Sequence, residues 1–133
     1  MTTTANTWSR ADLNLFGGAG EVEVSSVRRD GSQSRERIVW IVRVGDQLYL
    51  RSVNGPDAVW YRSTRSRHQG RLNARGLARD VSWVDAHADP DIEPEIDAAI
   101  DAEYARKYRG STSAIERLNS PAARSTTMRV DPR

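Results

Sequence analysis

Between residues 36 and 53 the chain spells two strands around a tight turn, and this hairpin limits the possible folds more than any other segment. The first strand, residues 36–44, reads ERIVWIVRV, and the second, residues 47–53, reads QLYLRSV, with Gly45-Asp46 between them. In the first, Ile38, Trp40, Val42 and Val44 share one face, while Arg37, Val39, Ile41 and Arg43 share the other. In the second, Leu48, Leu50 and Ser52 oppose Tyr49, Arg51 and Val53. Faces this mixed suit a barrel strand, with one side in the core and the other covered in part by helices or a partner.

The flanking segments extend the same pattern. Residues 1–7 are polar, and residues 1–8 are expected to fray ahead of the domain. Ser9 is placed to cap a short helix over residues 10–16, which Gly17-Gly18-Ala19-Gly20 ends. Residues 21–28 alternate as a half-buried strand and run into a hairpin turn at Arg29-Asp30-Gly31-Ser32. After a turn at Asn54-Gly55-Pro56, residues 57–67 are expected to be helical and carry Trp60, Tyr61 and Arg62. Residues 70–74 and 78–86 form a further hairpin around Arg75-Gly76. Asp89-Pro90-Asp91 opens a long helix in which Ile92, Ile96, Ile100, Tyr104 and Tyr108 recur every four residues, an apolar stripe that reads as core. A short helix over residues 112–119 and a strand over residues 126–130 close the chain. Many short antiparallel strands with few helices point to a small barrel, mainly β with flanking helices, in one domain over residues 9–133.

Composition narrows the function classes. With no cysteine there is neither a disulfide framework nor a thiolate metal site. No apolar run approaches a membrane span and no leader-like segment opens the chain, so the cytoplasm is the expected location. The net charge of +2 conceals a segregation. Seven arginines lie between Arg51 and Asp80 against two acids, and the next segment, to Ala105, carries eight acids with no cation. The near-neutral balance and the absence of a reader motif argue against nucleic acid. Nineteen of the twenty cations are arginine, the residue suited to bidentate anion contacts.

Candidate site residues gather after the second strand of the hairpin. Arg51 and Ser52 enter a turn just before the helix of Trp60, Tyr61 and Arg62. Such a junction collects N–H groups and guanidinium forks for a phosphate or carboxylate, with an aromatic wall beside it. The plainer alternative is a surface arginine and a helix that buries Trp60. Tyr61 and His68 are the groups placed to polarise a substrate or move a proton. No metal site is expected: His68 and His87 lack a metalloprotease-type spacing, and His87 reads as a surface residue. The acids of the long helix read as a solvated face.

The phrases RDG…VWIVRVGDQLYLRSVNG…WYR, G-R-L, V-S-W-V, IDAEYARKY and TTMRVDPR resemble a bacterial family known only as a domain of unknown function. Its members repeat two elements found here. One is Gly45-Asp46, Leu48-Tyr49, Arg51-Ser52, Gly55 and Trp60-Tyr61-Arg62; the other is Ile100-Asp101, Tyr104 and Lys107-Tyr108. The resemblance spans roughly residues 10 to 133. That family is in turn similar to split β-barrel proteins that bind FMN or a deazaflavin, among them pyridoxamine-phosphate oxidases and deazaflavin-dependent nitroreductases. The resemblance implies a six-stranded antiparallel split β-barrel, a homodimer, and a cofactor at the subunit interface. It implies a phosphate near Arg37, Arg51, Ser52 and Arg62 and a ring against Trp60 or Trp40. One departure stands out: Arg29-Asp30-Gly31-Ser32 replaces the Gly-x-x-Ser/Thr-Gly turn of the deazaflavin enzymes, and their Arg-x-x-Pro strand start is missing. Two functions follow as expectations. One is an FMN- or deazaflavin-dependent oxidoreductase acting on a small organic substrate. The other is a cofactor-free barrel that binds a small anionic or aromatic ligand, as an isomerase or cyclase does.

Overall fold

The computed structural model describes residues 7–86 and 95–133. Helix α1 (Arg10–Gly18) is capped as expected, Ser9 Oγ accepting from the Asp12 amide at 3.1 Å. The strands are β1 (Val22–Ser26), β2 (Arg37–Val39), β3 (Ile41–Val44), β4 (Gln47–Leu50), β5 (Gln69–Ala74), β6 (Leu77–Asp85) and β7 (Met128–Pro132). Helix α2 (Val59–Arg67) lies between β4 and β5, while α3 (Ile96–Lys107), α4 (Thr112–Leu118) and α5 (Pro121–Arg124) lie between β6 and β7. The expected start of α3 at Asp89-Pro90-Asp91, its Ile92, the residue His87 and the first six residues lie outside the described part. The expected fraying through residue 8 is corrected at Trp8, which is buried in the barrel core with its Nε1 donating to the Val130 carbonyl at 2.8 Å.

All strand pairs are antiparallel and form one sheet in the order β2-β1-β5-β6-β7-β4-β3. The two edge strands, β2 and β3, are neighbours in the chain and separated only by Trp40. The run expected as one strand over residues 36–44 therefore changes partner halfway. Arg37 and Val39 pair with Val24 and Val22 of β1, whereas Ile41 and Val44 pair with Leu50 and Gln47 of β4. This corrects the expected count: among the described residues the sheet has seven strands rather than six, because the run breaks at Trp40. Spanning from one sheet edge to the other, it nearly closes the barrel.

The alternation read from the hairpin sorts side chains into two buried clusters. Val39, Ile41, Leu48 and Leu50 join Val22, Val24, Leu72, Val81, Trp83 and Val130 inside the barrel, against Leu13 and Phe16 of α1. Val42 and Tyr49 face the other way and pack beneath α3 with Ile100, Tyr104 and Tyr108. The stripe on α3 is thus core, as its spacing predicts. Where β5 crosses between β1 and β6 only glycine fits: a Cβ on Gly70 would lie 2.0 Å from the Ser25 carbonyl oxygen. Among the described residues no helix is long and apolar enough to cross a membrane.

Candidate functional site

The break at Trp40 opens the barrel wall, and α3 repairs its backbone. The β3–β4 ladder ends at the Ile41–Leu50 pair, and one step further Trp40 faces Arg51. There the Tyr104 hydroxyl inserts between the strands, donating to the Trp40 carbonyl at 2.8 Å and accepting from the Arg51 amide at 3.1 Å. One turn on, the Tyr108 hydroxyl accepts from the Ile41 amide at 3.2 Å and donates to the Gly20 carbonyl at 2.9 Å. Lys107 Nζ donates to the Ile41 carbonyl at 2.6 Å. Two tyrosines and a lysine thereby satisfy the groups that sheet pairing leaves unpaired. Burial raises both tyrosine hydroxyls well above their usual range, so they remain neutral hydrogen-bonding groups. Burial, helped by the charges of Arg106 and Arg75, pushes the Lys107 ammonium down to about 8.

The same insertion turns Arg51 inward. Its side chain is 0% exposed and its Nη2 and Nη1 form ion pairs with Asp97 at 3.1 Å and Asp101 at 2.5 Å. Nε donates to Thr127 Oγ1 at 2.9 Å, and Nη1 also meets the Leu118 carbonyl and Asn119 Oδ1, both at 3.3 Å. Five N–H donors thus face protein acceptors on α3, α4 and the segment before β7. Arg124 holds Asp101 from the other side. Burial alone would raise the Asp101 carboxyl, but hydrogen bonds and charge from Arg124 and Arg51 outweigh it and hold it below the usual carboxylate range.

Outside the break lies a cleft of about 610 Å³, lined by Arg37 through Trp40 on one side, Ala58 to Trp60 on a second, and Ala114, Arg117 and Leu118 of α4 on a third. Trp40 is half-buried, one face stacked on Tyr108 with ring centres 4.1 Å apart and planes within 3°. Trp60 is also half-buried. The cleft carries the guanidinium groups of Arg37 and Arg117 against a single carboxylate, Glu21. At its rim Ile38 and Val59 are 62% and 64% exposed, the two large apolar side chains left in solvent among the described residues. A smaller annex of about 260 Å³ shares Arg37, Val59 and Trp60 with the cleft and adds Arg28, Arg35 and Arg67 with Ser26, Ser34 and Ser63. Along α2, Trp60, Ser63 and Arg67 follow one another at the i, i+3, i+7 spacing that puts them on one face.

Of the residues singled out in the sequence, Arg37 and Trp60 line both cleft and annex. Arg51 sits at the cleft floor with its guanidinium turned into the protein. Ser52 is fully buried, its amide donating to Thr126 Oγ1 at 2.8 Å and its own hydroxyl unpartnered among the described residues. Tyr61 packs into the barrel core, its hydroxyl 3.4 Å from the Ser125 carbonyl and its pKa raised by burial. Arg62 is exposed and lines neither cavity. His68 ends α2 in the left-handed conformation at φ 61°, exposed, and about 12 Å along the helix axis from Trp60. Arg35, Arg67 and Arg117 were not singled out. The period-two step from Arg37 back to Arg35 and the helical step from Trp60 to Arg67 are the signals that point to two of them. Arg117 reaches the cleft only because α4 folds back against the break, which no local pattern encodes.

The family model described as "Uncharacterized protein conserved in bacteria (DUF2255)" matches residues 12–130. No curated protein matches the chain. Solved structures that share its fold include the heme storage protein HutZ from Vibrio cholerae, with a TM-score of 0.60, 12% identity, and coverage of 93% of this chain and 88% of that one. An F420 reductase aligns with a TM-score of 0.51 and 14% identity over 91% of this chain and 90% of that one. A FAD-binding protein from Mesorhizobium loti aligns with a TM-score of 0.51 and 11% identity over 98% and 92% of the two chains. At these identities the likeness establishes the fold.

Proposed function

The chain belongs to the bacterial DUF2255 family, and on that premise we propose that it binds a flavin or deazaflavin in the cleft beside Trp40 and serves as an oxidoreductase for a small organic substrate. The observation that carries this reading is the cleft itself. Its volume of about 610 Å³ falls within the usual span of small-molecule sites, roughly 300–1,000 Å³. Two indoles and the aliphatic walls of Val39, Ala58 and Leu118 fit a flat ring system, and Arg37 and Arg117 fit its polar edge or phosphate. Structures of the same fold include a FAD-binding protein and an F420 reductase, which supports the choice of ligand class.

A bound flavin or deazaflavin supplies hydride transfer, and that chemistry asks the protein for position and a dry wall rather than for a nucleophile. Trp40, braced by Tyr108, holds one side of the ring site. Trp60 holds another, and Arg37 orients the anionic part. Arg51, Ser52 and Tyr61 keep the floor and the barrel in shape rather than touching the ligand, and Arg62 and His68 have no part in it. A homodimer belongs to the same reading: a second copy resting on Ile38 and Val59 would cover the open side of the cleft. Light scattering of the purified protein tests it, a mass of about twice the monomer being the expected result and a monomer mass the refuting one.

The alternative, a cofactor-free barrel for a small anionic or aromatic ligand, draws on one observation. The expected phosphate anchors Arg51 and Ser52 are withdrawn into the protein. Titration of FMN and of a deazaflavin separates the two. Saturable quenching of tryptophan fluorescence at micromolar ligand, weakened at least tenfold in a Trp60→Ala chain that still unfolds cooperatively, supports the cofactor reading. Neither ligand binding at that concentration overturns it in favour of the alternative.

A further inference from the structure

The annex beside the cleft has no role in holding a ring. Its lining combines Arg28, Arg35, Arg37 and Arg67 with three serines and no carboxylate. We propose that it is an anion subsite, which takes a phosphate or carboxylate carried either on the arm of the cleft's ligand or by a second, anionic molecule bound beside it. The first source rests on the ring-site reading above; the subsite itself does not.

The local charge pattern supports it. Arg43, Arg51, Arg65, Arg71, Arg79, Arg106, Arg124 and Arg129 each meet a carboxylate within 4.0 Å. None of the four annex arginines forms an ion pair among the described residues. Acids are close at hand in the sequence, yet they are turned elsewhere. Glu36 stands between Arg35 and Arg37, but strand alternation sends it the opposite way. There it meets Glu23, and its hydrogen bond and charge raise the Glu23 carboxyl above its usual range. Asp30 is engaged by the Ser32 amide and hydroxyl at 2.9 and 2.6 Å. Arg28 itself donates to two neutral acceptors, Ser32 Oγ and the Gln33 carbonyl, and its charge acts on Asp30 only as a lesser influence beside the Ser32 hydrogen bonds, without an ion pair.

Four like charges gathered around about 260 Å³, with no carboxylate in the lining, repel one another. A tetrahedral or planar oxyanion removes that repulsion, and guanidinium forks match its oxygens two at a time. The shared wall of Arg37, Val59 and Trp60 makes annex and cleft continuous. One molecule can therefore span both, or two can bind side by side within reach.

The test uses pyrophosphate as the annex probe, riboflavin as a ring probe without phosphate, and FMN as a ring probe with one. Calorimetric titration of pyrophosphate into the wild-type chain should give one site per chain at low salt. Arg35→Gln/Arg67→Gln, both exposed and therefore compatible with folding, should weaken it by about a hundredfold, roughly tenfold for each lost guanidinium. Riboflavin affinity should stay unchanged in that variant. If pyrophosphate displaces FMN but not riboflavin, the anion is the ligand's own arm; if FMN and pyrophosphate bind together, it is a second molecule. Either result upholds the subsite. Riboflavin and FMN failing to bind while pyrophosphate binds would remove the flavin reading and leave the subsite standing. No pyrophosphate binding to the wild type, or equal binding to the double variant, would overturn it.

Discussion

Asp101→Ala tests the reading of Arg51 as an internal strut. The carboxylate accepts from Arg51 Nη1 at 2.5 Å and from Arg124, and the Arg51 side chain is 0% exposed. Removing Asp101 leaves a buried guanidinium with only Asp97 as counter-charge. Breaking a buried pair from one side costs about 3–5 kcal/mol, and the surviving Asp97 contact places this case near 3 kcal/mol. For a chain of this size that lowers the melting temperature by about 10 °C. Arg51→Met is the complementary change. It removes the charge at similar volume and leaves Asp101 paired with Arg124, so a loss of about 1–2 kcal/mol is expected. The double variant should then be more stable than Asp101→Ala alone by about 1 kcal/mol, because no buried charge is stranded. Urea denaturation followed by circular dichroism measures all three, with a constant slope as the check on two-state behaviour. Asp101→Ala within 0.5 kcal/mol of wild type, or a double variant less stable than Asp101→Ala, would refute the reasoning. So would Arg51→Met that keeps its stability and loses FMN, since that pattern belongs to an anion-binding residue. The pH dependence follows from the lowered Asp101 carboxyl: its contribution is complete above about pH 4, and falls away as the pH drops through the folded-state value.

Other residues give shorter tests. Tyr104→Phe strands the Trp40 carbonyl and the Arg51 amide and should cost about 2–4 kcal/mol in urea denaturation, whereas Tyr61→Phe, losing one long contact at 3.4 Å, should cost under about 1 kcal/mol. Lys107 is the single lysine, so a ¹⁵N-lysine label reports it alone, and its resonance should titrate near pH 8. Because its folded-state value lies below the usual 10.5, protonation favours the unfolded chain, and stability should rise from pH 8 towards pH 10. Above pH 10 the raised tyrosines reverse the trend, since ionising them favours unfolding. A flat stability profile from pH 8 to 10 would speak against a buried Lys107 ammonium. Gly70→Ala should fail to accumulate as folded protein in a thermal-shift assay, because its Cβ would meet backbone at 2.0 Å.

Local periodicity carried most of the fold. Alternation from Val22 to Leu50, the turn at Gly45-Asp46 and the four-residue stripe through Ile100, Tyr104 and Tyr108 each depend on neighbours within a few residues, and those neighbours are in the sequence. Trp60 was legible as a cavity-lining residue from its aromatic-basic helix, whereas Arg37 was reached only through the family resemblance. The break at Trp40 was not legible. Residues 36–44 alternate without interruption, and only the demand to join two sheet edges makes that run change partner.

Arg51 shows the division most sharply. A guanidinium at a strand end beside a turn is equally suited to an anion from solvent and to carboxylates of its own chain. Sequence by itself determined that an arginine, two tyrosines and an acid-bearing helix would exist, each in the right element. Tertiary structure decided that Tyr104 enters the ladder, that Asp97 and Asp101 then meet Arg51, and that the arginines at 28, 35, 37 and 67 gather around one small cavity that no carboxylate lines. Which charges pair depends on distances between segments about fifty residues apart, and nothing in local spacing sets those.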